Sequence, residues 1–239
     1  MSSDPVGFFD SGYGGRCILE AFRRLCPNEK TVYLGDSEHC PYGNRPPEEI
    51  VRLSEACVRQ LLAVRCKLIV IACNTATAAA ISYLRAHYPE TPFVGLEPAV
   101  KPAALHSRTG VVAVLATVGT FNGRLYRETS ARFARNVTVL TVVADEFVTI
   151  VEGLKGVPVA EADAAERERI EAVVRRKIEP LLAAGADHLV LGCTHFPHLK
   201  PVIERVAAGR ATVVDPSDAV ARQVRRVLLA RGLAAENMI

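Results

Sequence analysis

LIVIACNTATA (residues 68–78) and HLVLGCTHFPH (residues 188–198) are two versions of one pattern: an apolar run, a small residue, a cysteine with a threonine close behind it, and the start of a helix. Short runs of Leu, Ile and Val without polar alternation read as strands covered on both faces. Working outward from these two, further strand candidates fall at Val6–Phe9, Thr31–Leu34, Phe93–Leu96, Val111–Leu115, Val137–Val143 and Ala211–Val214, beside Leu68–Ala72 and His188–Leu191 themselves. Between them lie helical patterns at about 14–25, 47–63, 75–87, 98–106, 120–134, 146–154, 163–184, 198–208 and 217–231. Pro47 with Glu48 and Glu49 opens one helix, and Asp215-Pro216-Ser217 opens the last. Strand–helix alternation predicts an α/β fold with largely parallel sheets. The two cysteines stand about half the chain apart, so the repeat predicts two similar α/β domains facing each other, each presenting one cysteine from a strand end. Pro98 and Pro102 place the first boundary near 97 and Gly209 places a return crossing near 208. The expected domains are residues 1–97 with 209–239, and 98–208.

The rest of the composition narrows the function classes. The 239 residues are 49% hydrophobic and 23% charged, a balance able to bury a substantial core. A net charge of +3 marks neither a nucleic-acid nor an anionic-membrane surface. The start MSSDPVGFFD does not read as a signal peptide and the apolar runs are strand-sized, so no membrane association is expected. Cysteines 17, 26, 40, 57, 66, 73 and 193 are odd in number and form no C-x-x-C pair, a poor framework for disulfides or zinc. The expected compartment is the reducing cytoplasm. Cys57, in a helical pattern, reads as a buried core thiol.

In parallel α/β sheets ligands sit beyond the carboxyl ends of the strands, so the loops there carry the chemistry. Cys73 follows a strand and opens a helix, whose N-terminus stabilises a thiolate. Asn74 and Thr75 offer donors to an anionic ligand, while the structural alternative is a core cysteine beside an N-cap threonine. Cys193 has a similar setting, with Gly192 behind it for close backbone approach and Thr194 and His195 ahead. His195 need not touch the thiol at this spacing. It can bind a substrate carboxylate or tune the thiolate. A capped helix start, or a metal site from Cys193, His195 and His198, are the alternatives, the latter lacking a fourth ligand at a convincing spacing. The loop Asp10-Ser11-Gly12-Tyr13-Gly14-Gly15 can cradle an anion but matches neither G-x-G-x-x-G nor a P-loop. Asp10 is informative only if the first and third strands are neighbours, which would put it on one rim with Cys73. The loop from Pro41 to Pro47 reads as a stiff turn.

FDSGYGG (9–15), GDSEHCPYGNRP (35–46), ACNTATA (72–78), GLEPAVKPA (95–103), LGCTHFPHLKPVI (191–203) and VVDPSDAVA (213–221), in this order along essentially the whole chain, resemble the segments of the glutamate racemase family. The resemblance implies two flavodoxin-like domains with the active site in the cleft between them, and conversion of L- to D-glutamate for bacterial peptidoglycan. It implies no pyridoxal phosphate and no metal, glutamate as small-molecule substrate, no nucleic-acid or membrane partner, and a homodimer. Cys73 and Cys193 become the acid/base pair, the first taking the proton of the D-isomer and the second that of the L-isomer. Asp10, Ser11, Pro41, Tyr42, Gly43, Asn74, Thr75, Thr194 and His195 contact the substrate or the thiols, with Asp10 and His195 also supporting catalysis. Thr120 bonds the α-carboxylate, and Glu152 tunes the second cysteine. The chemistry is consistent with this. Racemisation removes a proton from one face of a carbon and delivers one to the other, which two groups do more readily than one. The carbanion between those steps needs donors around its carboxylate.

The chain departs from the family pattern in three places. ADEFVTIVEG (144–153) lacks a usual Cys-Pro and a second Pro, Gly123 stands where Ser is common, and SEHC (37–40) replaces a Thr-Ala-Arg type of stretch. These positions bear on specificity, and a racemase for another amino acid such as aspartate is the rival within enzymes. A non-catalytic relative would be expected to lose one of the cysteines. A thiol hydrolase would leave one unexplained.

Overall fold

The computed structural model describes residues 2–133 and 137–236, so the last residue of the helix expected at 120–134 and the end of the 209–239 segment lie outside the described residues. Among these described residues two four-stranded sheets form, and in both every pairing is parallel. The first is built from β1 (Val6–Asp10), β2 (Thr31–Gly35), β3 (Leu68–Ile71) and β4 (Phe93–Gly95), in the order β2-β1-β3-β4. Its connections are α1 (Arg16–Leu25), α2 (Pro47–Ala63) and α3 (Asn74–His87). The second contains β5 (Val111–Ala116), β6 (Thr138–Val143), β7 (His188–Leu191) and β8 (Thr212–Val214), in the order β6-β5-β7-β8. Around it lie α4 (Val100–His106), α5 (Val118–Phe121), α6 (Arg124–Phe133), α7 (Asp145–Leu154), α8 (Ala164–Ala183) and α9 (Lys200–Ala207), and α10 (Ser217–Ala230) returns to the first sheet. The internal repeat read from the two cysteine segments is thus a repeat of topology.

By contacts the chain divides into Met1–Leu96 with Pro216–Ile239, and Glu97–Asp215. The return crossing comes after β8 and not near 208, because β8 pairs with β7 at His188↔Thr212 and belongs to the second sheet. Burial on both faces holds for the central strands: β1 and β3 are buried throughout, β5 and β7 in all but their first residue. The edge strands β2, β6 and β8 are half-buried or exposed, whereas the edge strand β4 is buried at Phe93 and Val94. The helix expected at 120–134 is broken around Asn122–Gly123 into α5 and α6, glycine being a poor helix former. Among the described residues no helix is long and apolar enough to cross a membrane.

Each unit has its own core. In the first, α1 and α10 pack Ile18, Phe22, Val224 and Leu228 against Phe8, Leu68 and Val70 of the sheet. In the second, Phe147, Ile150 and Val151 of α7 and Ile170, Val174 and Ile178 of α8 close over Ala113, Leu115, Leu189 and Leu191. At the base of the first sheet, opposite the carboxyl ends of its strands, Lys67 and Glu29 form an ion pair of 2.7 Å with side chains only 3% and 0% exposed. Lys67 also donates to the Ser2 carbonyl (2.8 Å), and Glu29 accepts the Ala235 N–H (2.7 Å), so this pair fastens both ends of the described chain.

None of the seven cysteines, all among the described residues, is joined in a disulfide. Cys57 is a core thiol, as its position on α2 implied, and burial pushes it up to about 12, while burial pushes Cys66 up to about 11. Folding favours these neutral thiols. That contribution to stability is intact below the ordinary thiol value near 9.0 and is lost as pH rises towards the folded values. At pH 8 the folded protein should therefore resist alkylation at Cys57 and Cys66, whereas denaturant opens both. Mass spectrometry of iodoacetamide-treated peptides checks this. Reaction of either before the half-buried Cys17 and Cys40 would contradict it.

Candidate active site

The strand order places β1 beside β3, with Phe9 opposite Ile71, so Asp10 and Cys73 do lie at adjacent strand ends. Asp10 is fully buried and its Oδ1 accepts the Gly12 N–H at 2.7 Å, which folds the loop back over the strand end. Gly15 permits this. A Cβ there would stand 2.7 Å from the Asp10 Cβ and 2.9 Å from the Ala72 carbonyl oxygen. The fold-back sets the Ser11 hydroxyl 3.4 Å from the Cys73 Sγ. Cys73 keeps an extended backbone and caps α3, its sulfur accepting the Ala76 N–H at 3.4 Å. The helix dipole and this donor both favour a negative sulfur. Beside it Asn74 is 3% exposed, yet neither its amide oxygen nor its amide nitrogen has a hydrogen-bond partner. Buried amides are normally satisfied, so a side chain held in this way is prepared for a polar ligand. Thr75 is buried next to it.

The loop after β2 is tied to the same rim through a residue that sequence reading did not single out. The Asp36 N–H donates to the Asp10 carbonyl at 2.9 Å. Its carboxylate accepts the Tyr42 hydroxyl at 2.6 Å and meets His39 Nδ1 at 2.8 Å. Tyr42 is buried against Phe9, and burial followed by the Asp36 hydrogen bond pushes its phenol well above the usual range. Its hydroxyl thus serves the loop, holding Gly43 buried and Pro41 exposed after a cis Cys40–Pro41 bond. The available signal for Asp36 was its place directly after a strand, the position Asp10 approaches on its own strand.

In the second unit Cys193 follows β7 beside β5, which leads into Thr117, the N-cap of α5, and Thr120 within α5. Their hydroxyls are buried and 3.1 Å apart, a pairing that identifies Thr117 as a companion missed from sequence. Gly192 is needed for close approach, since a Cβ would lie 2.8 Å from the Leu115 carbonyl oxygen. Cys193 does not cap an α-helix. A turn and the 3-10 segment Phe196–Leu199 intervene before α9. This turn brings His195 back, so the imidazole that need not have touched the thiol does so, with Nδ1 3.5 Å from Sγ. Its Nε2 is 2.5 Å from Glu152 Oε1. Glu152 reaches it because Phe147 of α7 packs edge-on against Phe196, with ring centroids 5.2 Å apart. His195 thus meets Cys193 through Nδ1 and Glu152 through Nε2. Thr194 is buried alongside.

A sequence profile described as Asp/Glu/Hydantoin racemase matches residues 15–224. The chain belongs to this racemase family. It is 42% identical over 233 residues to the glutamate racemase of Roseiflexus sp. strain RS-1, covering 98% of this chain and 82% of that one. It is similar to the crystal structure of Escherichia coli glutamate racemase in complex with L-glutamate and the activator UDP-MurNAc-ala, with a TM-score of 0.83 and 32% identity over 97% of this chain and 84% of that one. The Francisella tularensis glutamate racemase in complex with D-glutamate gives a TM-score of 0.81 and 26% identity over 99% and 85%.

Within this racemase the two thiols are supported by different means. Cys73 has the N-terminus of a long α-helix, an amide donor and a serine hydroxyl. Cys193 lacks an α-helix N-terminus and has an imidazole backed by a carboxylate, an arrangement that fixes ring orientation and stabilises an imidazolium beside sulfur. Of the residues expected from sequence, Asp10, Ser11, Cys73, Asn74 and Thr75 come together on one rim. Thr120 lies in α5, just beyond β5, the neighbour of the strand that Cys193, Thr194 and His195 follow, and Glu152 joins His195 from α7.

Proposed function

We propose that this chain interconverts L- and D-glutamate by cofactor-independent, two-base proton transfer at the α-carbon. The observation that carries the reading is that each unit ends its third strand in a buried cysteine whose sulfur is met by a polar side chain, Ser11 for Cys73 and His195 for Cys193. The unpartnered Asn74 amide beside Cys73 supports a polar substrate there. Glutamate is favoured over other amino acids by the relatives, two of which carry L- and D-glutamate in their crystal structures.

The chemistry requires one sulfur as thiolate and the other as thiol, meeting the substrate on opposite faces. With D-glutamate the Cys73 thiolate removes the α-proton and the Cys193 thiol delivers one. With L-glutamate the roles reverse. Asp10 and the Glu152–His195 pair assist the two sulfurs. Asn74, Thr75, Thr120 and Thr194 supply donors to the substrate carboxylates, where negative charge develops as the proton leaves. The product serves as the D-glutamate of a bacterial cell wall, and the enzyme works as a homodimer in the cytoplasm.

The test is to incubate purified protein, treated with chelator, with L-glutamate and then separately with D-glutamate and to follow optical rotation. Both solutions should decay to zero rotation, and aspartate should turn over far more slowly. Activity that disappears on chelation and returns with zinc would overturn the cofactor-independent reading, and preference for aspartate would overturn the substrate.

A further inference from the structure

Tyr33 lies on the edge strand β2, opposite Phe8 of β1. Its hydroxyl donates to the Gly12 carbonyl oxygen at 2.8 Å, across 21 residues of sequence. The N–H of the same glycine is held by Asp10 Oδ1 at 2.7 Å. Gly12 is thus fixed by both of its backbone polar groups, and the residue before it is Ser11, whose hydroxyl meets Cys73. The surroundings leave little slack. A Cβ on Gly35 would be 2.6 Å from the Gly12 carbonyl oxygen, and the Arg16 guanidinium lies 4.0 Å from the Tyr13 ring centroid and 5.7 Å from that of Tyr33. Glycine has wide conformational freedom, so a loop of the form Ser-Gly-Tyr-Gly-Gly needs external ties to hold one side chain in place.

We propose that Tyr33 is a positioning residue for the Cys73 thiol, acting through the Gly12 carbonyl to hold the Ser11 hydroxyl at the sulfur. The inference rests on the reading of Cys73 as the base that takes the D-proton. It predicts a one-sided defect, because the hydrogen bond from Tyr33 ends on the loop that carries Ser11 to the Cys73 sulfur.

Racemisation cannot show such a defect. The enantiomers have equal free energy, so kcat/KM is the same in both directions for any variant. Elimination can show it. On 3-chloro-D-glutamate a thiolate takes the α-proton, the C–H electron pair becomes the carbon–carbon double bond and chloride leaves with its bonding pair. The enamine then hydrolyses to 2-oxoglutarate and ammonia. Only one base acts, Cys73 on the D-isomer and Cys193 on the L-isomer.

Tyr33→Phe keeps the ring and removes the hydroxyl. Elimination from 3-chloro-D-glutamate should fall roughly five- to tenfold, the effect of losing one hydrogen bond, while elimination from the L-isomer stays within about twofold. Ser11→Ala should give the same one-sided loss, and adding Tyr33→Phe to it should cost nothing further, because the two act in series. Equal losses on both isomers, no loss on the D-isomer, or full additivity in the double variant would overturn the proposal. Wild-type protein that racemises glutamate but gives these results refutes the role of Tyr33 alone. Wild-type protein that fails to racemise refutes the underlying reading and the proposal with it.

Discussion

Cys73→Ser and Cys193→Ser should each lower racemisation of glutamate by about three orders of magnitude or more, in both directions. A serine hydroxyl is a far weaker acid than a thiol, so at neutral pH it holds far less of the anion that must take the α-proton. Every turnover uses both groups, one to remove a proton and one to deliver it, so either loss stops the cycle. The same variants should divide when only one base is needed. Cys73→Ser should retain elimination of chloride from 3-chloro-L-glutamate and lose it from the D-isomer, and Cys193→Ser should do the reverse. Optical rotation measures the first effect and 2-oxoglutarate release the second. A single variant that racemises near the wild-type rate would refute the two-base assignment. Two variants that eliminate from the same isomer would show that the sulfurs do not serve opposite faces.

Glu29→Ala should destabilise the first unit by about 3–5 kcal/mol, the usual cost of leaving one member of a buried ion pair unpaired. The Lys67 ammonium would be left in a site with 3% side-chain exposure, and the Ala235 N–H would lose its acceptor as well. A loss of this size is a large part of the total stability of an ordinary domain. Replacing both partners with apolar residues of similar volume, Glu29→Leu with Lys67→Met, should recover most of it, since no buried charge then remains. Urea unfolding of the three proteins, followed by circular dichroism, checks the order. If Glu29→Ala unfolds at the wild-type midpoint, the pair does not brace this unit.

The sequence by itself determined the α/β class, the strands at 68–71 and 188–191, the equivalence of the two cysteine segments and the racemase resemblance. Those features are local. A buried parallel strand writes its apolar run into consecutive residues, and a strand-to-helix turn writes small and polar residues directly after it, so LIVIACNT and LVLGCTH carry their own context. Much of the site was legible for the same reason, because Asp10, Ser11, Asn74 and Thr194 stand next to strand ends or cysteines.

What the tertiary structure decided depends on which strands are neighbours and on side chains that meet from distant segments. The neighbouring of β1 and β3 put Asp10 on one rim with Cys73 and set the Ser11 hydroxyl against its sulfur. Asp36 could not be weighed until its carboxylate was seen to gather Tyr42 and His39 behind Asp10. The pairing of β8 with β7 moved the return crossing from near 208 to 215/216, because Gly209 ends a helix without ending a unit. The contact of Glu152 with His195 spans 43 residues and rests on the packing of Phe147 against Phe196, which no spacing along the chain encodes. Local propensity and patterning act over a few residues, whereas hydrogen bonds of this kind are set by how whole elements pack. The sequence, through its motifs and the racemase resemblance, named the two thiols and most of the residues around them, and the fold decided which atoms meet.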